Sequence, residues 1–245
     1  MELGNEDVIH IKDKGIQYLQ FKRLLEYDDI IAHCFTLPPL NFGNNDTFSE
    51  NREEIIKNYE KICKRLKIDY KNVVRPLQIH SHNIKQVNKI GIFIDEYMHV
   101  DGLISVDSGA ILSLTYADCI PLYFFDPNKK VISNIHSGWQ GTLKRIGEIA
   151  AIKLINEYGC NCEDIICAMG PAIRKCHFEV DEEIAEEFKE KFSDMANVED
   201  MILKGNKVCR SSEILYRYNR IEQRNVKKSW VERGEYNGQQ NMHSM

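Results

Sequence analysis

Residues 109–142, GAILSLTYADCIPLYFFDPNKKVISNIHSGWQGT, constrain this chain most, because apolar runs alternate there with turn formers and two runs abut a metal-competent side chain. AILSLTY and PLYFFD are short and rich in β-branched and aromatic residues, which predicts two buried strands with ADC at the bend between them. VISNIH predicts a third strand. It stops at SGWQG, where Ser137, Gly138 and Gly141 allow a tight turn into a helix beginning near Thr142. Cys119 therefore precedes one strand and His136 closes another, near a helix N-terminus, where free N–H groups and the dipole favour an anion.

Residues 16–42 alternate short apolar runs with polar breaks and end in Pro38-Pro39, which predicts edge strands or a hairpin followed by a loop. From about Asn51 to Leu66, Ile55, Ile56, Tyr59, Ile62, Cys63 and Leu66 recur at helical spacing, with Asn51 three residues before Glu54 in a capping arrangement. Arg52, in the first turn, is either solvated or a phosphate or ribose contact. NVVRPLQIHSHNIKQV predicts a strand ending at His80, a polar turn and a second extended piece; on one continuous strand His80 and His82 would share a face. Asp101-Gly102 marks a turn entering the strand of DGLIS.

Beyond the central stretch, Leu143, Ile146, Ile149, Ala150 and Leu154 form one stripe of a helix over about 142–157. EDIICAMGPAI predicts a buried strand closed by Gly170-Pro171, and Cys176 and His177 fall in a loop before a helix capped by Asp181. Strands interspersed with helices, without repeats or a low-complexity linker up to about residue 203, imply a single α/β or α+β domain.

A formal charge of -5 without a basic stripe argues against a nucleic-acid partner. No basic and apolar leader and no run of membrane-spanning length is present, so no membrane role is expected. Eight cysteines in such a chain suggest reduced thiols in the cytoplasm; the CNC of Cys160 and Cys162 lacks the two-residue spacer of a zinc or redox motif and reads as a turn.

The chemistry concentrates on His80, Cys119 and His136, each at the end of a predicted strand. Strand ends on one sheet edge converge, so two imidazoles and a thiolate could meet although 39 and 17 positions separate them. Two nitrogens and one sulfur suit zinc, and three protein ligands leave a fourth position for water, whose pKa the metal would lower. A buried cysteine with two hydrogen-bonded histidines accounts for the same residues. So does a Cys119 nucleophile activated by His136 or His80, in which the adjacent Asp118 would make a poor orienting carboxylate because neighbours on a strand face opposite ways.

QIHSH, DGLIS, TYADCIPLYFFDP, HSGWQGT and GPAIRKCHFEV, in this order, resemble the signature blocks of the family long labelled multicopper polyphenol oxidase or laccase-domain proteins. Its members are now regarded as zinc-dependent purine nucleoside phosphorylases with adenosine deaminase activity. The resemblance runs from about residue 30 to 203. It implies mixed β-sheets sandwiched between helices, with a distant similarity to cysteine-hydrolase toxins, and His80, Cys119 and His136 as metal ligands and catalytic centre. It further implies purine nucleosides (adenosine, inosine, methylthioadenosine) and phosphate as substrates, with Arg52, Gln140 and Cys176 as candidate substrate contacts. Zinc suits one Cys/His/His site better than the older copper label, since a multicopper oxidase needs several centres and many histidines and this chain has eight.

Two departures stand out. Gln140 occupies the place where the family has arginine in HAGWRG, which weakens an anion contact. The segment after Lys204 lacks the VDL, AG, ENI, ICT and FFS-R features with which members continue. Residues 225–245 can be encoded so that a one-base shift reads MLKKAGLKEENIMVSKICTV, and KVCRSSE likewise shifts to YVDLQK. These observations divide the chain into a catalytic domain over 1–204 and a tail over 205–245 displaced in frame near Lys204 or Gly205. Such a tail would pack poorly, with at best a loose helix near Ile214–Ile221, and could leave an impaired enzyme or an inactive metal-binding remnant.

Overall fold

A computed structural model describes residues 3–43, 51–92, 95–174, 177–193, 202–203 and 207–208. Its centre is the hairpin of β8 (Ile120–Asp126) and β9 (Val131–Ser137). The turn between them is fixed by Asp126, whose Oδ1 accepts the N–H groups of Asn128 and Lys129 at 2.8 and 2.9 Å. That turn sets the register, pairing Pro121 with His136 and Ile120 with Ser137. A slip of one residue would send His136 to the opposite face.

β10 (Ile166–Met169) pairs with β8, β6 (Gly102–Ser105) pairs with β9, and β5 (Ile84–Gln86) runs parallel to β6, completing a sheet ordered β10-β8-β9-β6-β5. Both faces are covered, which explains why IPLYFFD is apolar almost throughout rather than alternating. Ile120, Leu122 and Phe124 meet Ile146, Ala150 and Leu154 of α4 (Ile146–Tyr158), while Phe125 packs on the other side with Phe21 and with Leu24 of α1 (Lys22–Leu25). Full burial of each such leucine or isoleucine contributes roughly 1.5–3 kcal/mol. β1 (Val8–Asp13), β2 (Ile16–Phe21) and β3 (Phe35–Leu37) form a separate antiparallel sheet. Its neighbour α2 (Arg52–Leu66) buries Ile55, Tyr59, Ile62 and Cys63 against Tyr18, Leu40 and Val73. The mixed α/β architecture thus agrees with the expected fold class.

Several local expectations are corrected. AILSLTY is not one strand: only β7 (Ile111–Leu112) pairs, in parallel with β4 (Val73–Val74). Beyond it the Gln78 side chain takes the place of a partner strand, accepting the Thr115 N–H and donating to the Thr115 carbonyl, both at 2.8 Å. The strand expected to reach His80 ends at Val74, and His80 itself has φ 60, so His80 and His82 do not lie on one continuous strand. The helix expected from Thr142 starts earlier, as α3 (Trp139–Leu143), and breaks where Arg145 adopts φ 58 before α4 begins. Asn51 and Asp181 stand at the N-caps of α2 and α5 (Glu182–Lys191) without the side-chain capping bonds predicted for them. β1 lies in a segment whose polar flanks concealed it.

The boundary at Lys204 and most of the tail, including the loose helix near Ile214, fall outside the described residues; there Ile202–Leu203 (β11) pairs with Lys207–Val208 (β12). Among the described residues no helix is long and apolar enough to cross a membrane. The cysteines described, Cys34, Cys63, Cys119, Cys160, Cys162 and Cys167, are free thiols.

Candidate metal centre

The register of the central hairpin delivers the site. Because Ile120 faces Ser137, Cys119 comes to lie beside Gly138, one residue past the end of β9. Cys119 follows Asp118, whose φ of 72 makes the bend predicted at ADC. β6 is antiparallel to β9, so Asp101, just before Gly102, reaches His136 from the other neighbour. The loop carrying His80 precedes β5 and arrives at the same edge. The donor atoms of His80, Cys119 and His136 all lie within 4.8 Å of one another, the only such trio among the described residues. The three residues expected to converge therefore do.

Burial grades the site from wall to mouth. His136 is 3% and Cys119 5% exposed, whereas His80 faces solvent. The His80 and His136 rings meet edge to face with centroids 4.9 Å apart. Tyr116 lies beside His136, its ring 5.7 Å away and its hydroxyl donating to Asn134 Oδ1 at 2.5 Å. Burial, with Tyr123 nearby, holds the Tyr116 phenol well above its ordinary pKa, so it stays neutral. Gly138 has no room for a side chain, since a Cβ would lie 2.7 Å from His80 Cδ2 and 3.3 Å from Cys119 Sγ.

Asp101 is the residue that sequence reasoning missed at this site. It is wholly buried, and its Oδ1 lies 2.8 Å from His136 Nδ1. Burial would raise its pKa, but hydrogen bonds from His136, Ser81 and the Ile79 N–H outweigh that and hold it below its ordinary value. Burial likewise works against a charged His136 ring, yet Asp101 and Cys119 lift its pKa from 6.5 to about 9. In sequence Asp101-Gly102 signals a turn, and no pattern separates a turn aspartate from a buried one.

These residues fit a metal. Tetrahedral zinc with its usual bond lengths needs N and S donors roughly 3.3–3.6 Å apart, so the trio requires only a modest contraction. Asp101 occupies His136 Nδ1 and leaves Nε2 as the ligating atom, the arrangement metal-bound histidines ordinarily show.

The expected substrate contacts are placed less tightly. Gln140 is exposed in the first turn of α3, two residues beyond Gly138. Arg52 is exposed in the first turn of α2. Cys176 lies outside the described residues, but the loop leading to it is anchored on the site: the N–H of Ile173 donates to the Asp118 carbonyl and that of Gly170 to the Pro121 carbonyl, both at 3.0 Å. Asp118 is exposed and serves through its backbone; the carboxylate that orients His136 is Asp101.

The sequence matches the family model described as multi-copper polyphenol oxidoreductase laccase over residues 36–240, a span that continues past Lys204. A human protein named purine nucleoside phosphorylase LACC1 is 31% identical over 168 residues, which make up 65% of this chain and 39% of the human one. A Bacteroides thetaiotaomicron protein named purine nucleoside phosphorylase is 28% identical over 196 residues, 72% of this chain and 73% of that relative. Among solved structures, the Bacillus licheniformis hypothetical protein YfiH has the same fold, with a TM-score of 0.67 at 23% identity over 84% of this chain and 80% of that one. YlmD from Geobacillus stearothermophilus gives 0.52 at 26% identity over 57% of this chain and 54% of its own.

Proposed function

On the premise that the chain belongs to the multi-copper polyphenol oxidoreductase laccase family, we propose that it is a zinc-dependent purine nucleoside phosphorylase. Its substrates are adenosine, inosine and methylthioadenosine, which it cleaves with phosphate to the free base and the corresponding ribose 1-phosphate. The observation that carries this reading is the convergence of His80, Cys119 and His136 within 4.8 Å at one sheet edge, in a chain whose relatives bear the name purine nucleoside phosphorylase.

In this chain Cys119 and His136 would hold the metal from the buried wall and His80 from the mouth. The metal, when bound, supplies Lewis-acid polarisation and acidifies water. In phosphorolysis a phosphate oxygen bonds to C1′ of the ribose while the bond from C1′ to N9 breaks, and the departing purine takes up a proton. Gln140, at the start of α3, and Arg52 are the candidate phosphate and ribose contacts, each offering N–H donors to anionic or hydroxyl oxygens. Adenosine deamination at the same site adds water at C6 of the base and releases ammonia, giving inosine. A single trio of donors among the described residues suits this chemistry rather than a multicopper relay, which needs several centres.

A second reading is favoured by one contact: His136 lies between Asp101 and Cys119, in the order of a Cys–His–Asp hydrolase. Chelation separates the two, since a thiol nucleophile keeps its activity when metal is stripped.

The direct experiment incubates the zinc-loaded protein with adenosine and phosphate and separates products by chromatography. Adenine with ribose 1-phosphate is the expected result, and inosine reports deamination. A zinc-loaded, folded protein that yields neither would overturn the proposed activity.

A further inference from the structure

Three consecutive backbone N–H groups converge on one buried carboxylate. Those of Ile79, His80 and Ser81 donate to Asp101 at 3.2, 3.0 and 2.7 Å, and the Ser81 hydroxyl adds a bond at 2.7 Å. The same carboxylate meets His136 Nδ1 at 2.8 Å, on the oxygen that also receives the His80 N–H. We propose that Asp101 is a positioning residue that sets the two histidine donors jointly, folding the His80 loop around itself and aiming the His136 ring with one carboxylate. The inference rests on the metal-centre reading and adds to it the group that fixes its geometry.

The conformation of His80 explains why such a group is needed. With φ 60 it occupies the left-handed region, which costs an ordinary residue about 1–2 kcal/mol. HSH holds no glycine, the residue that enters that region without steric cost, so contacts from outside the segment help to hold it there. Asp101 provides the offset because a carboxylate out of water needs several donors, and four of those it receives come from residues 79–81. Solvating the carboxylate and bending the loop are therefore one event. The backbone of Asp101 is held as well: its carbonyl accepts the His136 N–H at 2.7 Å and its N–H donates to the Asn83 carbonyl at 3.0 Å.

The third donor is tied to the same frame from the other end of the loop. Gln78, two residues before His80, grips the backbone of Thr115, four residues before Cys119. An amide at position 101 cannot substitute for the carboxylate, because one of its two acceptor sites becomes an NH₂ group pointed at donors.

The test compares the full-length wild-type protein with Asp101→Asn and Ser81→Ala, titrating zinc(II) and cobalt(II) against a chromogenic chelator and recording the cobalt d–d spectrum. Asp101→Asn should bind about 10- to 100-fold more weakly, the usual loss for a partner behind a metal ligand, with a cobalt band displaced from that of the wild type. Ser81→Ala, which removes one hydroxyl bond and keeps the N–H, should weaken binding about twofold or more. In the metal-free proteins, Asp101→Asn should speed hydrogen exchange at the Ile79, His80 and Ser81 amides, because their shared acceptor is impaired.

Equal affinity and equal spectra in the wild type and Asp101→Asn would overturn the proposal while leaving the metal centre intact. Exchange at the amides of residues 79–81 that is the same in Asp101→Asn and the wild type would overturn the joint role. Should Asp101→Asn fail to fold, unchanged binding by Ser81→Ala decides against it. A wild-type protein that takes up neither metal would overturn the metal reading itself.

Discussion

Gly138 stands so close to His80 that a β-carbon on it would lie 2.7 Å from the imidazole Cδ2. The backbone there, φ -72 and ψ 174, is open to any residue, so Gly138→Ala tests contact and not conformation. In a closed core such overpacking costs about 1–3 kcal/mol; here the solvent-facing His80 ring can yield to it. It should fall on the His80 ring, weakening zinc binding roughly 10- to 100-fold by chelator competition while the melting temperature of the metal-free protein shifts little.

His80→Ala should reduce the zinc content of purified protein to background and abolish phosphorolysis and deamination together. Because the side chain faces solvent, the stability of the metal-free protein should move by no more than about 0.5 kcal/mol. Zinc retained at the wild-type level, measured by elemental analysis, would remove His80 from the ligand set.

A pH effect should arise at His33, which is not among the metal-centre donors. Its ring is buried, stacks on Phe21, and takes the Phe21 N–H on Nε2 at 2.8 Å, which requires that nitrogen to be unprotonated. Burial lowers its pKa from 6.5 to about 4. The unfolded chain therefore binds the proton first, so stability is full above pH 6.5 and drains away as pH falls from there to about 4. The loss approaches about 3.5 kcal/mol, at about 1.4 kcal/mol per pH unit across that window. His33→Gln, which cannot titrate, should flatten denaturant-measured stability over that window relative to the wild type; an identical acid loss in both would show that His33 contributes nothing.

The frame of the tail can be read directly. Sequencing the gene across codons 200–210 and onward should reveal a family-like peptide in the shifted frame, and a protein restored to that frame should gain activity over the present chain. A gene without such a peptide would make the tail a diverged natural end, in keeping with a family match that continues to residue 240.

The convergence of Cys119 and His136 was legible because each borders a run whose strand character is local, IPLYFFD after Cys119 and VISNIH ending at His136, whereas the strand expected to carry His80 stops at Val74 and the signal for His80 is chiefly the family resemblance. The meeting of those runs depends on a turn whose chemistry, Asp126 before Pro127, is equally local. What was not legible is long-range substitution of side chain for backbone. AILSLTY has the composition of a strand, but Gln78 satisfies Thr115 and so replaces a partner strand, while Asp101 replaces one around His80. The early start of α3 was hidden for a related reason. Gly138 accommodates the neighbouring ligands and Thr142, expected near the helix start, instead donates its hydroxyl back to the Gly138 carbonyl at 2.8 Å.

The donors come from segments as far apart as His80 and His136 and meet only once the sheet is assembled, so a metal held there binds the native chain and not the unfolded one. At a free concentration a hundred times its Kd it adds about 2.7 kcal/mol, a substantial part of the ~5–15 kcal/mol that separates most domains from unfolding. With such a metal bound, the steady-state abundance of the protein would follow the metal supply of its surroundings. Scarcity would clear the chain by unfolding and proteolysis instead of leaving a reservoir of idle apoenzyme.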